Sequence, residues 1–321
     1  MFFNNFMKWM IILTIIITFS SDNWFIYWLM MEMNLMLFIP LMNSKKKNSS
    51  NWMVAYFVEQ SFSSTLFFMM SISFNMFNLL FFEFMIMISI LIKLAMIPFH
   101  FWLTSLSELI NYNTLFLILT LQKFIPLFIL VMNFTEKMIF FAMISSIFGS
   151  LLLFNLKSFK KILIFSSISH QGWMISLIAM NSNFWFTYMM IYSLLIFKIL
   201  SILKKNNIEL KNNFFKKKIP MSEKISMTTL ILSLGGMPPF IGFIMKFLSI
   251  LIIINNSIFV VMILILSSII NIFIYLRMMN TNLFINSIYF SKKLFFNYNQ
   301  KSVLFNMYWF ISIFILNMMM F

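Results

Sequence analysis

Six residues in this chain pair a titratable side chain with surroundings that offer it no obvious place. Glu32 lies in WLMMEMNLMLFIP, Lys93 in ILIKLAMIPFHFW, Lys123 in LTLQKFIPLF and Lys246 in LSLGGMPPFIGFIMKFLSI, each within a long apolar run. His170 lies in FSSISHQGWM, among Ser166, Ser167, Ser169 and Gln171, and His100 follows shortly after Pro98. A charge in the middle of a bilayer costs at least ~2.5–3.5 kcal/mol, so a residue kept there is functional by default. A carboxylate and lysines at such depth can exchange protons when they approach one another. Pairing holds both charged, and breaking the pair releases a proton. Imidazole can pass a proton between its two nitrogens near neutral pH. The chemistry open to these six is therefore proton transfer. For the charges, the competing reading is pairing that only holds helices together. For the histidines, it is ordinary hydrogen bonding to neighbours.

Two of the lysines sit beside helix breakers. Lys93 precedes Pro98, and Lys246 follows Gly235, Gly236, Pro238 and Pro239. Proline removes an i→i−4 bond and frees carbonyls. Such carbonyls can hold water or ions where they line a cavity. A pair of Gly/Pro-interrupted hydrophobic segments, one in each half, points to the ion site of a transporter-type fold. A simple kink is the plainer reading, but it leaves unexplained a lysine within about two turns of each break.

The elements that position these residues follow from composition. The chain has 321 residues, 62% hydrophobic and only 10% charged. No soluble domain of this size covers so much apolar surface with so few charges. The apolar runs do not alternate as the strands of a membrane barrel would. The fold expected is an all-α polytopic membrane protein, one transmembrane domain over 1–321. A spanning helix needs ~20 apolar residues, which divides the chain into about eleven segments. They lie at about 3–20, 23–42, 52–74, 78–99, 112–132, 137–155, 161–180, 184–203, 222–254, 257–279 and 303–321. The ninth is too long for a straight span and reads as one broken helix or two short ones.

Charge orients this layout. With eleven segments, nearly all of the 23 basic residues fall on the side of the N-terminus, including Lys45, Lys46, Lys47, Lys157, Lys160, Lys161 and the run from Lys204 to Lys224. The positive-inside rule places that side, side A, in the matrix or cytoplasm. The net charge of +15 is thus a topology signal, and no nucleic-acid partner is needed to explain it. Lys198 is expected to snorkel to side A. Glu59 and Glu83 are possible polar lining, and Glu108 belongs at the side A surface.

Several function classes are excluded or disfavoured. With no cysteine, disulfides and thiolate or Fe–S ligation are ruled out. With only two histidines, a zinc site is not expected. No phosphate loop or nucleophile–base pair occurs. The first apolar run starts almost at Met1, so no cleavable signal is expected. Abundant Phe, Met, Ile, Asn and Lys, with scarce Ala, Gly and Arg, match A/T-rich codons and an ATA codon read as Met. That usage points to an animal mitochondrial genome.

The stretches NWFIYWLMMEMNLMLFIPL, IKLAMIPFHFW, LTLQKFIPL, KKILIFSSISHQGWM and LSLGGMPPFIGFIMKF occur in that order from residue 23 to about residue 248. Through them the chain resembles the mitochondrially encoded, antiporter-like membrane subunits of respiratory complex I, NADH:ubiquinone oxidoreductase. The last seventy residues match mainly by hydrophobic pattern. The resemblance implies antiporter-like inverted five-helix repeats with broken helices, the first at about 3–132 and the second at about 137–279, followed by a C-terminal helix at about 303–321. It implies that Glu32 is the family's glutamate and Lys93 its lysine partner. Lys123 would be the connecting lysine, and Lys246 the lysine of the second half-channel. His170 falls at the family's SSI-x-H position, and His100 remains a possible relay.

Partners would be other complex I membrane subunits, especially antiporter-like chains, and the lipid bilayer. No cofactor is expected on this chain: FMN, Fe–S clusters and ubiquinone would be bound by other subunits. The location implied is the mitochondrial inner membrane, multi-pass, with the N-terminus on the matrix side. Two departures stand out. The Pro-Glu pair usual after FHFW is replaced by LTSLSEL, leaving Glu108 as the nearest acid. The lysine usual before YF is missing from WMVAYFVEQ, which carries Glu59 instead. A stand-alone cation/proton antiporter of related fold is the alternative, and a purely structural scaffold a third possibility.

Overall fold

A computed structural model describes residues 2–42, 49–107, 110–133, 138–210 and 219–293. Glu108 and the segment at about 303–321 lie outside these residues. The described chain is helical, with an isolated bridge between Ser158 and Leu210. Its helices are α1 (Phe2–Phe19), α2 (Trp24–Met42), α3 (Ser49–Phe77), α4 (Leu80–Leu94), α5 (Phe101–Leu106), α6 (Tyr112–Leu119), α7 (Leu121–Asn133), α8 (Ile139–Leu151), α9 (Phe159–Ala179), α10 (Phe184–Lys205), α11 (Met221–Gly235), α12 (Ile241–Ile254) and α13 (Ile258–Lys293). Five stretches are long and apolar enough to cross a membrane: Trp24–Met42, Tyr112–Met132, Phe159–Ala179, Phe184–Lys205 and Ile258–Met279.

The structure departs from the sequence expectations in three places. The segment expected at 78–99 stops at Leu94, where Ala95 turns left-handed (φ 55°), so Pro98 lies in a linker before the short α5. The span at 112–132 is interrupted at Thr120 (φ −122°, ψ −83°). There the Thr120 hydroxyl donates to the Phe116 carbonyl at 2.7 Å, a back-bond that bends helices, and Pro126 further along removes a backbone donor. The break expected in the ninth segment is present: α11 and α12 are separated at residues 236–240. Finally, α13 continues to Lys293 instead of ending near 279.

The centre of the molecule is α9. All of its residues but Lys161 are buried in the protein, and it packs against α5, α6, α7, α8, α10, α12 and α13. This enclosure is what lets so polar a helix lie at this depth. Its serines close on their own backbone: Ser166, Ser167, Ser169 and Ser176 donate to the carbonyls three residues earlier at 2.6–2.8 Å. Small residues bring α8 close to it. A Cβ on Gly172 would stand 2.7 Å from the Ala142 carbonyl oxygen, so the two backbones nearly touch.

In the first turn of α9 lies Lys160, which the charge count placed among the side A loops and helix ends. It is 6% exposed. Its Nζ donates to the Ile110 carbonyl at 2.8 Å and lies 5.2 Å from the centre of the Tyr112 ring. A helix end buried among its neighbours needs such partners, and this lysine supplies one to the chain entering α6. The Tyr112 hydroxyl in turn donates to the Ile208 carbonyl, and Phe159 N–H to the Glu209 carbonyl at 3.1 Å. Outside this buried tie, Lys205 and Glu223 form an ion pair at 2.5 Å.

Candidate functional site

Both helix breaks use the same backbone device. α4 ends at Ala95 in the left-handed region, followed by a cis Ile97–Pro98 bond; α11 ends at Gly236 (φ 87°), followed at the same spacing by a cis Pro238–Pro239 bond. A left-handed residue after the last turn folds the chain back on the terminal carbonyls. At the first break Ala95 N–H donates to Ile92 O and Met96 N–H to Leu91 O, at 3.0 and 3.1 Å. Side chains serve others: the Trp102 indole donates to Ile92 O and the Gln171 amide to Leu94 O, each at 3.1 Å. At the second break the donor is Lys246, whose Nζ reaches Gly235 O at 2.6 Å.

Lys93 occupies the last turn of α4, where the helix dipole favours a cation. It lines a small, partly open pocket together with Tyr56, Gln60, Trp102, Gln122 and Lys123. Two of the three lysines of the sequence row therefore face one cavity. Lys123 is 4% exposed. Its Nζ donates to the Ser167 hydroxyl of α9 at 3.0 Å. The row thus leaves the first half of the chain and enters the central helix.

One turn further along α9, His170 accepts or donates at Nδ1 with the Tyr188 hydroxyl, 2.8 Å away. Its ring lies beside the Leu234 carbonyl, next to the second break, while its Nε2 is buried with no hydrogen-bond partner among the described residues. Lys246 is 5% exposed, with its ammonium 6.0 Å from the centre of the Trp173 ring, within reach of a cation–π attraction. Lys123, His170 and Lys246 therefore converge around α9, with Lys93 joined through the pocket. Among the described residues neither Lys123 nor Lys246 is hydrogen-bonded to a carboxylate; their partners are a hydroxyl and a carbonyl.

Glu32 stands differently from the expectation. Among the described residues no ion pair joins it to Lys93; its carboxylate accepts a hydrogen bond from Ser64 of α3. It acts on Lys93 through its charge alone. The physical reason is local. Ser64 is the nearer donor, while the Lys93 side chain is directed to the pocket. A second link joins the helices of Glu32 and Lys123: the Gln122 amide donates to the Asn34 amide oxygen at 2.9 Å.

His100 is not brought to the row. Its Nδ1 faces the Pro98 carbonyl at 3.2 Å, and its ring packs on Phe101 and Phe165. Lys198 and Glu59 are exposed on the outer faces of α10 and α3, and Glu83 is half-buried near the start of α4. The residues that sequence reasoning did not single out are neutral: Ser64 and Gln122 as donors, Tyr188 as the partner of His170, and Trp173 through the face of its ring. Their signal was a polar group in an apolar helix, which does not say what it faces. Among the described residues no cluster of His, Asp or Glu could hold a metal ion.

Comparisons with known proteins identify the family and the fold. Residues 21–271 match the family described as NADH:quinone oxidoreductase/Mrp antiporter, transmembrane. The NADH-ubiquinone oxidoreductase chain 2 of Rhipicephalus sanguineus is 44% identical over 281 residues, 88% of this chain and 90% of that protein. The chain 2 of Anopheles gambiae is 34% identical over 331 residues, 97% of this chain and 95% of that protein. Among solved structures, respiratory complex I from Thermus thermophilus contains a chain with a TM-score of 0.76 at 17% identity, covering 86% of this chain and 69% of that one. The Mrp complex from Dietzia sp. contains another, with a TM-score of 0.70 at 14% identity, covering 81% and 56%. The chain belongs to the NADH:quinone oxidoreductase/Mrp antiporter transmembrane family.

Proposed function

We propose that this chain is a proton-translocating membrane subunit of respiratory complex I, at the place its relatives call chain 2. The observation that carries the reading is the buried lysines' choice of partner. Lys123 and Lys246 are held by Ser167 and by the freed Gly235 carbonyl. A scaffold would neutralise a buried charge with an opposite one, because an unpaired charge in the interior is costly. Lysines kept at this depth on neutral oxygens are suited to gaining and losing a proton.

In this reading redox chemistry on other subunits, which bind FMN, Fe–S clusters and ubiquinone, alters the charge that Glu32 presents to Lys93. A proton on Lys93 crosses the pocket lined by Gln60 and Gln122 to Lys123. From there the Ser167 hydroxyl and the His170–Tyr188 pair lead towards Lys246 at the second break. His100 is left out of this path. The shared backbone device at Ala95 and Gly236 supports two related five-helix repeats, inverted with respect to each other, each with one broken helix. The basic side A, with the N-terminus, faces the mitochondrial matrix, and the chain sits in the inner membrane beside other antiporter-like subunits. Relatives named as complex I chains favour this over a stand-alone antiporter.

The test is substitution in the assembled complex. Lys93→Met and Lys246→Met each lower coupled NADH:quinone turnover and the protons moved per electron pair. Unchanged stoichiometry in Lys246→Met would remove that residue from the path.

A further inference from the structure

Two neighbouring residues of α9 touch the two helix breaks. His170 lies against the Leu234 carbonyl at the end of α11. Gln171 donates from Nε2 to the Leu94 carbonyl at 3.1 Å, at the end of α4. Leu94 directly follows Lys93 and lines the same pocket. Gln171 is fully buried, and its Oε1 has no hydrogen-bond partner among the described residues. An amide placed in the interior with one half unsatisfied costs stability. An apolar residue of similar length would fill the same space without that cost. The next residue, Gly172, is pressed on the Ala142 carbonyl of α8, so α9 cannot easily turn about its axis. A displacement of the α4 terminus is then felt at His170 through one rigid turn.

We propose that Gln171 is a positioning residue for proton transfer: its amide holds the carbonyl end of α4, and with it Lys93, in register with His170 and the second break. The inference rests on the proposed row of Lys93, Lys123, His170 and Lys246. Gln171 exchanges no proton itself. It fixes the distance between the two halves over which the proton must pass.

The experiment compares Gln171→Leu, Gln171→Glu and Lys123→Met in the assembled complex in native membranes, with rates normalised to assembled complex on native gels. Gln171→Leu removes the donor and is expected to slow proton translocation about tenfold, the equivalent of one hydrogen bond of about 1.4 kcal/mol. Gln171→Glu supplies a different readout. Its carboxylic acid O–H can donate to the Leu94 carbonyl, whereas its carboxylate cannot. Translocation by this variant therefore recovers as pH is lowered and falls as pH is raised, relative to the unsubstituted protein. If Gln171→Leu fails to assemble, this pH profile decides alone. A Gln171→Glu rate that stays at the unsubstituted level at a pH where infrared spectra show its carboxyl ionised, or a Gln171→Leu rate within about twofold of it, overturns the inference. Normal translocation in Lys123→Met sinks the row itself. Loss there alongside normal Gln171 variants sinks only the role of Gln171.

Discussion

Gly236→Ala tests whether the second break acts through Lys246. Gly236 has φ 87°, and a Cβ there would stand 2.8 Å from Lys246 Cδ and 3.1 Å from its Nζ. Ordinary contact begins at 3.4 Å, so the lysine chain must give way by about 0.6 Å, well within the reach of a flexible side chain. Nζ is 2.6 Å from the Gly235 carbonyl. A retreat of that size lengthens the bond to about 3.2 Å, the outer edge of ordinary geometry, and gives up part of the about 1.5–3 kcal/mol that a hydrogen bond to a charged group contributes. The left-handed backbone adds about 1–2 kcal/mol of strain. That strain is tolerable, because the first break already carries alanine at the matching place, Ala95 with φ 55°. The variant is therefore expected to assemble while translocating more slowly, by up to about tenfold. The assay is proton uptake per electron pair in sealed vesicles, alongside the amount of assembled complex. Ala95→Gly serves as the control and leaves translocation unchanged. Normal pumping by assembled Gly236→Ala would show that the placement of Lys246 against the break is irrelevant to function.

Three further outcomes are expected. Ser64→Ala removes the donor on Glu32 and lowers coupled turnover by about tenfold or less; turnover equal to the unsubstituted protein would detach Ser64 from the site. Gly172→Val forces α8 and α9 apart at the Ala142 carbonyl, an overpacking that costs about 1–3 kcal/mol, and less assembled complex is expected on native gels. Glu223→Gln breaks the ion pair with Lys205, which is 72% exposed. Such pairs contribute about 0–1 kcal/mol, so assembly and thermal stability in detergent should hardly change.

The expensive residues were legible in the sequence because a charge in an apolar run needs no partner to be noticed. The two breaks were legible for the same reason, since Gly and Pro disrupt a helix wherever they occur. Partners were not legible. Ser167 lies 44 residues from Lys123 and Gln171 lies 77 from Leu94, and helix packing, not spacing, brings them together. The pairing of Glu32 with Lys93 was an inference from charge, and the nearer hydroxyl of Ser64 took the carboxylate instead. His100 was chosen for its closeness to Pro98, yet that same turn directs its ring to Phe101 and Phe165. Lys160 was counted with the surface because its neighbours in sequence are basic; its burial follows from the approach of Ile110, fifty residues earlier. The bend at Thr120 was hidden because a back-bonded threonine looks like any other in an apolar run.

The enclosure of α9 has a consequence for how the protein is made. A helix leaving the ribosome meets lipid before it meets its neighbours. This one carries Lys160, Lys161, four serines, His170 and Gln171, none of which gains from a lipid environment. It also ends almost wholly buried among its neighbours. Its insertion therefore depends on company: α8, already made and fitted to Gly172, is the first surface available to it, and α10 follows directly to cover the His170 side. Biogenesis of this protein is then a matter of order as much as of stability. A defect that delays α10 would leave the most polar segment stranded at the insertion site, and quality-control proteases would meet the chain there first.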